Sequence, residues 1–103
     1  MSAPGRHARH RLDETIHAPV RFSIVTTLAG SDEVEFSAVR DPVEVSDSVL
    51  SRQVSTLEAA SYVKVRKGYV GKRPRTWLSL TAAGRRALTA HLDALREIAG
   101  GRP

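Results

Sequence analysis

Three apolar stripes of helical period and one stretch of alternation divide this chain. Val20, Ile24, Val25 and Leu28 recur as one helix face requires, Pro19 suits a first helical turn, and Gly30 predicts the stop. Leu12 and Ile16 predict a short preceding turn packed onto that helix. Glu33 to Phe36 reads as a brief extended piece. A second, short helix follows around Ser37 to Arg40, and Pro42 prevents it from continuing normally. Val43 and Val45 anchor the connection.

Ser46 is a good N-cap, and Asp47 follows where the helix dipole favours an acid. The helix so opened runs to about Ala60, with Leu50, Val54 and Leu57 on one face. Two strands come next. Val63 and Val65 share a face of the first; Thr76, Leu78 and Leu80 share a face of the second. Gly68 and Gly71 predict a turn with positive backbone angles, and Pro74 stiffens its exit. Thr81 caps a last helix over Ala82 to about Ala99, whose first turn Gly84 weakens slightly. Leu88, Leu92, Leu95 and Ala99 recur at 4-3-4 spacing, an a/d seam that Ile98 and Ala87 widen. The fold class is mostly α with a small β-hairpin (α+β). Residues 1–11 read as a flexible basic N-terminal arm, 12–99 as one folded domain, and 100–103 as a tail. The arm is either a phosphate-touching extension or an inert terminus.

The 103 residues suffice for one small domain, with 41% hydrophobic and only 5% aromatic content. A chain this short buries roughly two-thirds of its unfolded surface, so further burial in a dimer would help. The absence of cysteine excludes disulfides, thiolate metal sites and cysteine nucleophiles. His7, His10, His17 and His91 form no convincing metal set, and no cofactor is implied. There is no Ser/His/Asp constellation and no phosphate-binding glycine loop, so no catalytic residue is assigned and no enzyme is expected. No apolar run approaches the roughly 20 residues that span a bilayer. The basic N-terminus lacks the apolar segment of a secretory signal. A soluble cytoplasmic protein without membrane contact is expected.

Net charge is +5 and the pI about 10.4. What matters is segregation. Asp32, Glu33, Glu35, Asp41 and Glu44 crowd the first half, where Asp32 and Glu33 read as solvated loop charge. The stretch Tyr62 to Leu80 carries Lys64, Arg66, Lys67, Lys72, Arg73 and Arg75 and no acid. Just before it, Ser48, Ser51, Arg52 and Ser55 form the outward face of the third helix. That face is short-chained, polar and free of acids, where a merely solvated helix usually carries Glu and Lys. Ser48, Ser51 and Ser55 can hydrogen-bond bases or phosphates. The Arg52 fork matches the two guanine acceptors of a major groove. Lys67, Lys72, Arg73 and Arg75 can neutralise phosphates beside it, while Lys64 and Arg66 face solvent. Trp77 reads as packed over hairpin neighbours or arginine stems, and Tyr69 at the tip is open to a sugar contact. Alone, the helix or the hairpin is an ordinary solvated surface; in succession they favour double-stranded DNA. The alternatives are a protein-interaction module within a larger complex and an RNA-binding domain. Poor interleaving of bases with aromatics argues against single-strand stacking.

The order VRFSIVTTL, then SDSVLSRQVSTLEAASYVKVRKGYVGKRPRTWLSLT, then AAGRRAL resembles the bacterial winged helix-turn-helix regulators related to the MarR and ArsR groups. It is closest to their compact winged helix DNA-binding domain subgroup. The resemblance covers about Leu12 to Ile98. It implies a transcription regulator, more often a repressor, that acts as a homodimer on a pseudo-palindromic site. The family's recognition helix falls on Asp47 to Ala60, its groove-facing positions on Ser48, Ser51, Arg52 and Ser55, and its wing tip on Gly68 to Arg75. The C-terminal helix, 82–99, would supply the dimer interface through Leu88, Leu92, Leu95 and Ala99. Two departures stand out. The wing lacks the Asp-x-Arg pattern of larger MarR proteins, and the chain lacks the long helices that build their effector pocket. A MarR-like phenolic ligand is therefore not expected, while an unidentified small-molecule effector stays open.

Overall fold

The computed structural model describes residues 6–100. A 3-10 turn, Ala8–Arg11, precedes α1 (Pro19–Ala29), β1 (Val34–Glu35), α2 (Phe36–Val43), α3 (Asp47–Ala59), β2 (Val63–Val70), β3 (Arg73–Leu80) and α4 (Ala82–Ile98). The caps act as their residue types predict. The Val49 N–H donates to Ser46 Oγ (3.2 Å) and the Gly84 N–H to Thr81 Oγ1 (2.9 Å). The second helix differs from expectation. It begins at Phe36 and runs through Pro42, which sits in the last turn and forfeits few backbone bonds there. Glu44 then ends it in the left-handed region, φ 61°, with its N–H directed to the carbonyls of Arg40 and Asp41.

The sheet has three strands rather than two. The extended piece before α2 is β1, which pairs antiparallel with β3 through Val34↔Leu78 and Glu35↔Trp77, giving the order β1-β3-β2. β2 and β3 pair from Val63↔Leu80 to Val70↔Arg73, leaving Gly71 and Lys72 as a two-residue turn. Gly71 has φ +63°, which suits the first position of such a turn. Gly68, expected to share the turn, stands inside β2 opposite Arg75. A Cβ there would lie 3.2 Å from the Trp77 ring, so this glycine makes room for the indole.

Ile24, Val25 and Leu28 of α1, Val39 of α2, Leu50, Val54 and Leu57 of α3, and Val63, Leu78 and Leu80 of the sheet form one core. Leu88 belongs to it too, at 7% exposure, and Leu92 packs against it half-buried. The first half of the predicted α4 seam therefore faces this chain's own interior. A helix lying across one domain has the same apolar period as one lying against a partner, and spacing alone does not separate them. Leu95 is half-buried, and Ile98 and Ala99 are exposed.

Residues 8–16, ahead of α1, are tied down. Ile16 is fully buried. The Asp13 N–H donates to His91 Nδ1 (3.0 Å), Asp13 Oδ1 accepts from the N–H groups of Thr15 and Ile16, and Tyr62 donates its hydroxyl to Asp13 Oδ2 (2.5 Å). The turn Ala8–Arg11 packs on α4, and Arg11 pairs with Glu97. Residues 8–11, expected within a flexible arm, are thus folded, because α4 offers them a surface and an acid. Residues 1–5 of the expected arm and 101–103 of the expected tail lie outside the described residues.

Gly84 sets how closely α4 approaches the ribbon. A Cβ there would stand 2.3 Å from the Tyr62 carbonyl oxygen and 2.8 Å from Leu80 Cδ1. Gly→Ala in a helix ordinarily gains about 1 kcal/mol. Here forced separation should cost about 1–3 kcal/mol and win. Gly84→Ala is expected to lower Tm in thermal denaturation; an unchanged or higher Tm would contradict the contact.

His91 is 1% exposed. Its Nδ1 accepts from Asp13, and its Nε2 lies 3.4 Å from His17 Nδ1. Burial first, and the neighbouring His17 second, hold its pKa below the usual 6.5, against the opposing pull of Asp13. A folded pKa below the unfolded one favours the fold above the unfolded value. That stability is lost as pH falls from about 6.5 toward the folded pKa. Tm should therefore drop between about pH 7.5 and 5.5, and drop less in His91→Gln. Equal slopes in the two proteins would contradict the assignment.

Candidate nucleic-acid interface

α3 is the element on which the surface is built. Leu50, Val54 and Leu57 drive one face into the core, and this orients the rest. Ser48, Ser51, Arg52 and Ser55 are all exposed on the other side. The Ser55 hydroxyl donates to the Ser51 carbonyl (3.0 Å), and the Ser48 and Ser46 hydroxyls lie 3.3 Å apart. Such short side chains, partly held against their own helix, let the α3 backbone come close to a groove. Arg52 has no ion-pair partner among the described residues. The turn into α3 is braced by Arg40, which donates to Asp47 (2.8 Å) and to Asp41 (3.1 Å). Those bonds raise its pKa, that from Asp47 contributing most.

Between α3 and the sheet lies a cleft of about 310 Å³. Ser51 and Ser55 line one wall, Lys67 and Thr76 the other. A second hollow of about 210 Å³ continues past Lys67 along the ribbon to Tyr69 and Pro74. The serine face and the inner side of the ribbon therefore open in one direction. Glu58 also lines the cleft. The outward face is therefore not free of acids as expected: Glu58 follows Ser55 by three residues and Ser51 by seven, a helical spacing visible in the sequence.

Alternation along the ribbon divides its bases. Paired residues share a face, so Lys67 lies with Thr76 and Tyr69 with Pro74 on the side of α3. Arg66 with Trp77, Gly68 with Arg75, and Val70 with Arg73 lie on the reverse. On that reverse face β1 and the residue before it supply acids. Arg66 donates two bonds to Glu33 (2.9 and 2.8 Å) while its guanidinium carbon sits 4.1 Å from the centroid of the Trp77 ring. Arg75 donates to Glu35 (2.8 Å). The hydrogen bond from Arg66 holds the Glu33 carboxyl below its usual range and raises Arg66 in turn. Trp77 is thus packed under an arginine, as its position suggested. Arg75, expected to meet phosphate, already has a carboxylate. Lys67, Lys72 and Arg73 have none among the described residues. At the tip Tyr69 is 73% and Val70 55% exposed.

Among the described residues no group of three His, Cys, Asp or Glu side chains could hold a metal ion, and no helix is long and apolar enough to cross a membrane.

A helix with an outward polar face, followed at once by a basic ribbon opening the same way, defines a winged helix. The chain belongs to the winged helix DNA-binding domain family, whose model matches residues 20–99. Among solved structures it is similar to the transcriptional regulator homologue protein from Pyrococcus horikoshii OT3 (25% identity over 86% of this chain and 88% of that one, TM-score 0.79). It is also similar to the M. tuberculosis transcriptional regulator MOSR in complex with DNA (20%, 91% and 67%, TM-score 0.71). A third is a MarR family transcriptional regulator from Streptomyces coelicolor in complex with DNA (22%, 93% and 66%, TM-score 0.67). No curated protein matches the sequence. The family is one of DNA-binding domains, and two of these neighbours are transcriptional regulators solved in complex with DNA.

Proposed function

We propose that this protein is a cytoplasmic, sequence-specific double-stranded DNA-binding transcriptional regulator, a repressor acting by promoter occlusion. The observation that carries the reading is the shared cleft, with Ser51 and Ser55 on one wall and Lys67 on the other. α3 enters a major groove, Arg52 reads guanine, and Lys67, Lys72 and Arg73 grip flanking phosphates. Two structural neighbours have been solved in complex with DNA, which supports DNA as the partner. Selection of bound duplexes from a random pool tests it: failure to enrich any sequence would refute specific recognition. A genomic footprint away from every promoter would refute occlusion.

The two arginines have distinct expected phenotypes. Arg52→Ala should cost about 1–3 kcal/mol on the selected duplex and little on a scrambled one. Arg73→Ala should weaken both alike and reduce the salt slope by about 1. Gel-shift titrations of both duplexes over a range of salt decide between these patterns.

The regulator acts as a homodimer, with two α3 helices about one helical turn apart on a pseudo-palindromic site. The interface is the C-terminal end of α4, where Leu92 and Leu95 are half-buried and Ile98 and Ala99 are exposed; Leu88 is engaged in the core and takes no part. Ile98→Glu, at a position outside the core, should give a monomer by light scattering. An unchanged mass would place the contact elsewhere. The DNA binding of a Bordetella bronchiseptica structural neighbour is regulated by 6-hydroxynicotinic acid. In this chain the hollow of about 330 Å³ between Phe22, His91 and Leu95 is where a small effector would sit.

A further inference from the structure

We propose that Glu33 and Glu35 determine specificity by withholding Arg66 and Arg75 from phosphates. This rests on the DNA-binding reading above. In the free protein two of the three arginines of the reverse wing face are occupied, Arg66 by two bonds to Glu33 and Arg75 by one to Glu35, while Arg73 beside the tip has no carboxylate partner among the described residues. A duplex that docks loosely meets only Lys67 on the α3 side and, at the tip, Lys72 and Arg73. Close docking presses a phosphate against the reverse face, and an arginine then exchanges carboxylate for phosphate.

The geometry favours exchange over permanent pairing. Each pair is about one-third to one-half exposed, so water already competes with it. The exchange keeps the number of charge-assisted bonds but leaves a carboxylate unpaired near a phosphate. Only a site with many other contacts can tolerate that repulsion. The two arginines are also unequal. Arg66 is held bidentately and stacked on Trp77. Arg75 is held by one nitrogen, and its buried Nε has no acceptor. Arg75 is therefore the first to switch, with Glu35 as its brake, and Arg66 follows only if Trp77 is uncovered. The acids are 33 and 40 residues from the arginines they hold, and their approach depends on β1 pairing with β3.

The experiment compares the wild-type protein with Glu35→Gln, Glu33→Gln and the double variant. Each is titrated with the selected duplex and a scrambled one over a range of salt. Release of each arginine should steepen the salt slope on scrambled DNA by about 1 and raise affinity for it. The ratio of specific to scrambled affinity should fall, more for Glu35→Gln than for Glu33→Gln. Scrambled binding that is unchanged or weaker in both variants overturns the proposal while leaving DNA binding intact. Absence of duplex binding by the wild type overturns the functional reading, and this inference with it. A second measurement needs no variant. Trp77 is the only tryptophan, so its emission reports the Arg66 stack. The ordered switch predicts that, at saturation, scrambled duplex leaves this emission unchanged. A change with scrambled duplex as large as with the selected one overturns the proposal even if the variants fail to fold.

Discussion

The contact between α3 and the root of the β-ribbon is the constraint from which the surface follows. Leu50, Val54 and Leu57 meet Val63, Leu78 and Leu80 in one core. Burying those side chains leaves each element no freedom to rotate, since a turn of either exposes apolar surface and opens a cavity. Everything beyond the core is then a continuation. The polar side of α3 points where its apolar side does not, and the ribbon past Val65 projects as a lever whose root is clamped. Two elements of opposite design, a cylinder and a blade, present chemistry in one direction because they share their interior.

How much of this could be read from the chain depended on the range of each interaction. The caps at Ser46 and Thr81, the stop at Gly30 and the ribbon's alternation are local, and they fell where residue types and periods put them. The candidate α3 positions were legible for the same reason, and so was Glu58, which spacing alone would have found. Three features needed the third dimension. β1 is two residues long and gains meaning only beside β3. Gly68 looks like a turn glycine until the Trp77 ring is seen beside it. The leucines of α4 carry a period that an interior and a partner satisfy equally, and the burial of Leu88 separates the two. Pro42 misled in the other direction, because its rule applies to helix interiors and it stands in a last turn.

Charge shows the same division more sharply. A run of bases without an acid looked uniformly available, but sequence neighbourhood is a poor guide to electrostatic neighbourhood. Glu33 and Glu35, distant in the chain, neutralise Arg66 and Arg75, whereas Lys67, Lys72 and Arg73 remain unpaired among the described residues. A net charge of +5 therefore does not tell which bases of the ribbon are unpaired. The field that a polyanion meets is set by unpaired groups, since paired ones act as short-range dipoles.

The segment before α1 extends this logic to the position of α3 itself. Asp13 joins His91 of α4 to Tyr62 at the start of β2. Arg21 of α1 donates through Nε to the Thr15 carbonyl (2.5 Å) and through a terminal nitrogen to the Gln53 side chain of α3 (2.8 Å). The partly buried flank of α3, beside its outward face, is thus held by a chain of polar bonds that begins on the C-terminal helix. These groups have few alternatives, because a buried donor or acceptor that loses its partner costs about 1–3 kcal/mol. His91 of α4 and Gln53 of α3 are consequently joined in one hydrogen-bonded frame. A shift of α4 at His91 therefore strains its bond to Asp13 and, through Thr15 and Arg21, the bond to Gln53 on the flank of α3.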